Sequence, residues 1–545
     1  MGSKEYPYLT MEKVEVLTDG ALFQARVKNM GKQDIRSFGF VWNENNDNDF
    51  ETWVKKESTG AISGGTFSAM INTDISPDEV YYVRPFIESG ENTVFGPPVE
   101  FTGKGSKTPE VHDYNPKEGF DGTLVKLKGA YFSLRSQNIS VFIMNILPAQ
   151  IIRSTEDSLV FTIPESGAMG WVQLKIVSGD QEVLIDNAFQ VLGPEITAIS
   201  KTEGHSGDII TIQGKNFIQN GEPRVYFDEY QAEIIETGAD LLTVAVPLTN
   251  SYFSDITVNI SVRSGQKVSL PDVPFRINKS WDIKTATPFS WSYAYNAFSY
   301  NNLGYILEVG SRVLYDYDPS TDTWNAGSSF PGDRDDNNIF IISDNKLLKI
   351  GGTNHLGPVN SFWEYDFNTQ LWNQKDDIPF TFSNATNVNL NEEEYIITNT
   401  GQVWTYNYSS QLFTRKNDIA LQFNDFVFAF KENNGLYLIS YGSNWSYDIS
   451  TDTWTEISKN NFNKDNYFNH AFGFYSNGSA YVLEDGQYLY KYYRDLGRWI
   501  LCGAYPGCRA DNSYKTVFVI GDDAYIAATS GNYSGCSPLL FVYQD

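Results

Sequence analysis

Four histidines and three cysteines are the side chains of this 545-residue chain best suited to nucleophilic, general-base or metal chemistry. Their placement argues against all three. His112, His205, His355 and His470 are scattered along the chain. Cys502, Cys508 and Cys536 fall near its end, without C-x-x-C spacing or a neighbouring histidine cluster, so no metal site is expected. One disulfide with a free thiol fits an exported protein, and three reduced, partly buried thiols fit equally well. No G-x-S-x-G, H-E-x-x-H or P-loop occurs. The 67 acidic residues offer so many carboxylate pairs that spacing singles out none for glycoside hydrolysis. The Asn/Asp-rich stretch NENNDNDFE (43–51) lacks the glycine and terminal glutamate spacing of a calcium loop and reads as a solvated loop. Neither catalytic residues nor a cofactor are therefore expected. What remains is recognition. Trp291, Tyr467 and Tyr533 offer stacking surfaces, and Arg334, Asn337, His355, His470, Arg509 and Asp511 offer directional hydrogen bonds.

Such residues need a scaffold, and the second half of the chain contains a repeated one. YDPSTDTW (317–324) returns as YDISTDTW (447–454). Relaxed to a tyrosine followed seven residues later by tryptophan, the pattern also fits Tyr365–Trp372 and Tyr492–Trp499, with Tyr406–Phe413 as an aromatic variant. The tyrosines step by 48, 41, 41 and 45 residues, a period typical of blades with four short strands. Tyr543 opens a sixth copy that has no tryptophan after it, whereas Trp281 has no tyrosine seven residues before it. Joining Trp281 to Tyr543 predicts that SWDIKTATPF supplies the outer strand of the last blade, closing a six-bladed ring without open edges. The rings two residues before each tyrosine (Tyr315, Trp363, Trp404, Trp445, Tyr490 and Phe541) recur in every blade and are expected to pack between blades rather than bind ligand. Strand alternation places the d-to-a and b-to-c loops on one face. These are FPGDRDDNN (330–338), NNFNKDNYFNH (460–470), AYPGCRADNSY (504–514), TATPFSWSYAY (285–295), GGTNHLGPVNSF (351–362) and SGNYSGCSPLL (530–540). They differ from blade to blade, as ligand-contacting loops should, and they contain all nine recognition candidates.

This Tyr–turn–Trp signature resembles the kelch repeat. KIGG (349–352) supplies a kelch-like Gly-Gly, and PGDR (331–334) and PGCR (506–509) resemble the Pro-Arg step after the kelch tryptophan, where the alternative to ligand contact for Arg334 and Arg509 is pairing with carboxylates of neighbouring blades. Kelch propellers include copper oxidases, which need two histidine ligands, a Tyr–Cys cross-link and a further domain; the residues here do not match. They also include bacterial sialic acid epimerases using Arg, His and Glu at the channel mouth, which makes a sugar epimerase the minority expectation.

Ahead of the repeats, PEVHDYNPKEGFDGTLVKLKGAYF (109–132) realigns onto PEITAISKTEGHSGDIITIQGKNF (194–217) at an offset of 85. Pro109/Pro194, Gly119/Gly204, Gly122/Gly207, Gly129/Gly214 and Phe132/Phe217 coincide, so two equal sandwiches with glycine turns are expected. The pattern resembles IPT/TIG domains, which are immunoglobulin-like. The first hundred residues alternate apolar and polar positions, and GFVWNE (39–44) with YYVRPFIESGENTVFGPPVEFTG (81–103) resembles the fibronectin-III-like modules of Bacteroidota surface lipoproteins. KEYPYLTMEKVEVLTDGALFQARV resembles the start of such a lipoprotein just after its lipidated cysteine, a residue this sequence does not contain, and MGS fits an expression scar.

The expected fold is all-β: a mature N-terminus (1–5), a fibronectin-III-like sandwich (6–104), two IPT/TIG domains (105–193 and 194–278) and a six-bladed kelch-like propeller (279–545). A net charge of −27 opposes binding to nucleic acid or to an anionic bilayer, and no apolar run is long enough to span a membrane. The resemblances imply a surface-exposed outer-membrane lipoprotein, attached only through its anchor, that captures glycan without catalysis for a nutrient-uptake system. The alternative is a scaffold within an outer-membrane transport or secretion complex.

Overall fold

Period-two alternation is what these residues do best, and the chain follows it almost throughout. The structure is a computed structural model that describes residues 5–219, 221–288, 295–421, 427–433, 435–440, 442–459, 472–484, 487–507, 515–528 and 539–545. Nearly every regular element is a strand.

The first sandwich packs a three-stranded sheet (Tyr8–Leu17, Gly20–Asn29, Thr66–Ile71) against a second sheet centred on Ile35–Asn43 and Val80–Ser89. Trp42, Phe23, Phe40, Phe67 and Phe101 fill the space between them. Removing those rings from water is the main force holding the two sheets together.

The two repeated segments fold alike at their starts. Leu124–Ala130 and Ile209–Lys215 each bury alternate residues, Val125 and Leu127 in one and Ile210 and Ile212 in the other. Gly129 and Gly214 explain why glycine recurs. A Cβ at either would lie 2.1 or 2.0 Å from the carbonyl oxygen of Glu110 or Glu195, and 2.6 or 2.3 Å from the ring of Phe132 or Phe217. Gly122 and Gly207 take positive φ in the preceding turn, at 79° and 86°, which a side chain resists.

Among the described residues the remainder forms six four-stranded antiparallel sheets and one two-stranded hairpin. Sheet I comprises Tyr295–Tyr300, Leu303–Glu308, Val313–Asp318 and Thr323–Ser329. Sheets II to V follow in the same order from Ile339–Ser343, Ala385–Leu390, Val427–Glu432 and Phe472–Ser476. Sheet VI takes Lys515–Ile520, Asp523–Ala528 and Leu539–Tyr543 from the end of the chain, and its fourth strand is Trp281–Ala286. The first strands of consecutive sheets pack on one another, and that of sheet VI also meets that of sheet I.

The Tyr/Trp spacing resolves into one contact made six times. Tyr317, Tyr365, Tyr406, Tyr447 and Tyr492 stand directly across the hairpin from Trp324, Trp372, Phe413, Trp454 and Trp499. Tyr543 stands across from Trp281. Ring centroids are 4.8–5.1 Å apart in all six pairs. The acidic turn has its own task. Tyr317 and Tyr447 donate their hydroxyls to Asp322 and Asp452 at 2.8 and 2.7 Å. Asp322 also accepts the Thr285 N–H from sheet VI, and Asp452 accepts the Asn417 N–H at the end of sheet III. The motif thus pins its own hairpin and ties it to the preceding sheet. The rings two residues earlier are half-buried or buried; Trp363 packs edge-on to Phe330 at 5.2 Å, and Trp404 stacks on Phe380 at 4.6 Å.

Charged contacts join the modules. Asp74 accepts the Leu134 N–H at 2.8 Å and bonds Ser133, while Arg135 reaches Glu44 and Asn43. Lys267, fully buried, pairs with Asp121 and donates to the Ser166 carbonyl at 3.0 Å. Tyr493 donates to the Gly207 carbonyl at 2.9 Å, Arg498 pairs with Glu233, and Phe253 stacks on Phe541.

Candidate functional site

Sheets I and II bring two of the unlike loops together. Residues 330–338 connect the last strand of sheet I to the first of sheet II, and 351–361 connect the middle strands of sheet II (Lys346–Ile350 and Phe362–Asp366). Asp336 and Thr353 exchange backbone hydrogen bonds at 2.9 and 2.8 Å, and the Asn338 amide donates to the Gly351 carbonyl. The Gly-Gly step makes this junction possible. Gly351 and Gly352 adopt φ of 57° and 110°, and a Cβ on Gly352 would lie 2.4 Å from the Asp336 carbonyl oxygen. Arg312 attaches a third loop by donating to the Gly332 carbonyl at 2.8 Å.

The floor is a buried ion pair. Lys349 donates to Asp335 at 2.7 Å, and its ammonium lies 4.5 Å from the centre of the Phe330 ring. Burial pushes the Asp335 carboxyl up and the Lys349 ammonium down, while their mutual attraction pulls each back. Burial and the charge of Asp335 also raise Asp336. Because both charges are satisfied by each other, the pair serves better as a rigid base than as an acid–base couple.

Above this floor Arg334, Asn337 and His355 are all exposed. Asn337 sits at a positive φ of 54° with its amide 3.4 Å from Asp336. His355 and Leu356 occupy the tip of a hairpin between Thr353–Asn354 and Gly357–Pro358, and Leu356 is 84% exposed. Arg334 is exposed, and among the described residues nothing pairs with it. Trp291, Tyr467, His470, Arg509, Asp511 and Tyr533 lie outside the described residues, as do Cys508 and Cys536. Cys502 is a buried free thiol, pushed up to about 12 by burial. The 43–51 loop folds back on itself: Asp47 accepts the Trp53 indole N–H at 3.0 Å and Phe50 stacks on Phe95 at 3.9 Å. Among the described residues no cluster of His, Cys, Asp and Glu could hold a metal ion.

Lys349 and Glu394 are buried charges that the sequence reading did not single out. Lys349 interrupts the apolar run KLLKI beside an aspartate-rich loop, a signal that could have marked it as a paired core lysine. Glu394 accepts from Tyr408 at 2.7 Å and from the amides of Asn387 and Asn389, and burial raises its carboxyl. The neighbouring NVNLNEEE offers no cue that separates Glu394 from Glu392 and Glu393.

Comparison with known proteins identifies one part of the chain. No helix among the described residues is long and apolar enough to cross a membrane. Among curated proteins none matches. Solved structures resemble the chain only loosely. YjhT is 14% identical with a TM-score of 0.38, over 48% of this chain and 95% of its own. A protein of unknown function from Bacteroides thetaiotaomicron is 11% identical, with a TM-score of 0.34 over 80% of this chain and 98% of its own. An auxiliary nutrient binding protein from the same organism is 12% identical, with a TM-score of 0.36 over 65% of this chain and 98% of its own. The duplicated segment is different: residues 109–191 and 194–277 each match the family model of the IPT/TIG domain, and the two sandwiches are a tandem pair of that domain.

Proposed function

We propose that this chain is a non-catalytic binding protein of the bacterial cell surface, which holds a neutral glycan on the loop-bearing face of a six-bladed kelch-type propeller. Three sandwiches, 6–104 and the two that follow it to residue 278, carry the propeller away from an outer-membrane lipid anchor. The order of first-strand contacts among sheets I to VI supports the ring, as does the Trp281–Tyr543 pair, whose 5.1 Å ring separation falls within the range of the other five.

One observation carries the binding reading. Loops 330–338 and 351–361 are knitted together over the buried Lys349–Asp335 pair, so that Arg334, Asn337 and His355 are presented on a braced surface. Preorganised donors on a rigid base bind polar ligands without first losing much conformational freedom. The charge of −27 disfavours polyanions and is compatible with a neutral glycan, as it is with a peptide or a partner protein.

A glycan array with the full chain tests this. Arg334→Ala combined with His355→Ala should weaken binding by about tenfold or more, the scale of losing charged or directional hydrogen bonds. Trp291→Ala and Tyr467→Ala should each weaken it further. Unchanged glycan binding in all of them would sink the assignment of this face.

A protein partner is the second reading, favoured by Leu356. A leucine 84% exposed at a hairpin tip is better suited to a partner's apolar pocket than to a sugar. Leu356→Asp would then abolish capture of an outer-membrane complex while leaving glycan binding intact.

A further inference from the structure

A cleft of about 230 Å3 opens between sheets IV and V. It lies at the end of the strands opposite the loops described above, bordered by the turn from Phe472–Ser476 to Ser479–Glu484 and the turn after Tyr488–Tyr493. Its wall is aromatic: Tyr475 stacks on Phe430 with ring centres 5.3 Å apart and planes 15° from parallel. Its lining carries two acidic and two basic side chains, Glu432 and Asp495 against Lys491 and Arg494. Arg494 pairs with Glu432 across the two sheets, and Lys491 pairs with Asp545, which also accepts the Tyr481 hydroxyl at 2.6 Å.

We infer that this cleft binds one ring of a neutral saccharide. An anion entering it meets Glu432 and Asp495, and a cation meets Lys491 and Arg494, so neither sign of charge gains a net field. A hydroxyl both donates and accepts, and so can use both members of the Arg494–Glu432 pair together. The apolar face of a sugar ring suits the tyrosine wall. The volume is below that of pockets for drug-sized ligands, which restricts the occupant to a single small ring, such as the end of a chain. This site is separate from the loop-bearing face and does not depend on it.

Titration calorimetry on the full chain decides the matter. The probes are gluco-, manno-, galacto- and xylo-oligosaccharides, with an oligogalacturonate as the anionic control. One neutral class should bind. Ser479→Trp, which fills the cleft from its edge, should abolish that binding. Arg494→Ala, at the exposed rim, should weaken it by about tenfold or more without altering the fold. The Arg334→Ala/His355→Ala background removes what the loop-bearing face contributes, and the cleft's binding should persist there and still depend on Arg494. Three results would overturn the proposal: no neutral sugar binds; only the galacturonate binds; or neutral sugar binding survives Arg494→Ala but is lost in the Arg334/His355 variant. The last outcome would leave the loop-bearing face standing alone.

Discussion

The two IPT/TIG domains use the same turn in two different surroundings. Gly122 and Gly207 are equivalent by the offset of 85 and share a positive φ, yet a Cβ on Gly122 would meet open space. On Gly207 it would fall 2.5 Å from the Cβ of Cys502, in the last strand of sheet V. The preceding residues differ accordingly. Asp121 takes the buried Lys267 of the second domain, whereas Ser206 donates to the Pro247 carbonyl of its own domain. In each copy this turn faces the module that follows. Residues kept between the copies specify the sandwich, and those that differ specify the neighbour it meets.

Breaking the first joint should have the largest effect. Lys267→Ala leaves the Asp121 carboxylate poorly paired in a mostly buried site, and should cost about 3–5 kcal/mol. Denaturant unfolding of the full chain would check it, with Lys267→Met expected to recover part of the loss through packing. A glycine substitution sharpens the comparison. Gly122→Ala should cost about 1–2 kcal/mol for its left-handed backbone alone. Gly207→Ala should add about 1–3 kcal/mol for overpacking against Cys502. Cys502 reports on that joint directly. Its buried thiol, raised to about 12, should resist alkylation in a Cys508→Ser/Cys536→Ser background and become reactive when Gly207→Ala loosens the contact. Equal rates in both proteins would mean that the joint does not protect the thiol. The smallest effect belongs to Arg498→Ala. Its pair with Glu233 crosses the same joint but is nearly half exposed, so thermal unfolding should register about 0.2–1 kcal/mol, fading with added salt.

The contrast between repeated and unrepeated residues also sets what could be read from the sequence. The Tyr–Trp spacing, the duplication and the outer-strand pairing of Trp281 with Tyr543 are written as periods, because every sheet must solve the same packing problem. The joints are not periodic. Asp121 and Lys267 are 146 positions apart, and neither residue type announces a buried partner. The candidate site was legible as a set of unlike loops, and the bonds of Asp336, Asn338 and Gly351 do bring two of them together. What lies beneath them was marked only by Lys349 interrupting an apolar strand; its enclosure by Phe330 and Asp335 is visible in the fold alone, since a lysine in a strand is ordinarily solvated.

The entry of the chain into sheet VI has a mechanical consequence. After Phe275–Ile277, the last strand of the second IPT/TIG domain, a short connection leads directly to Trp281. Tension passed along the chain from the sandwiches would therefore reach sheet VI at a ring only 1% exposed, wedged between Tyr505 and Tyr543. To yield, the strand must first draw that indole out of its socket. Resistance to pulling is then a matter of how slowly one tryptophan leaves, a rate rather than an equilibrium stability.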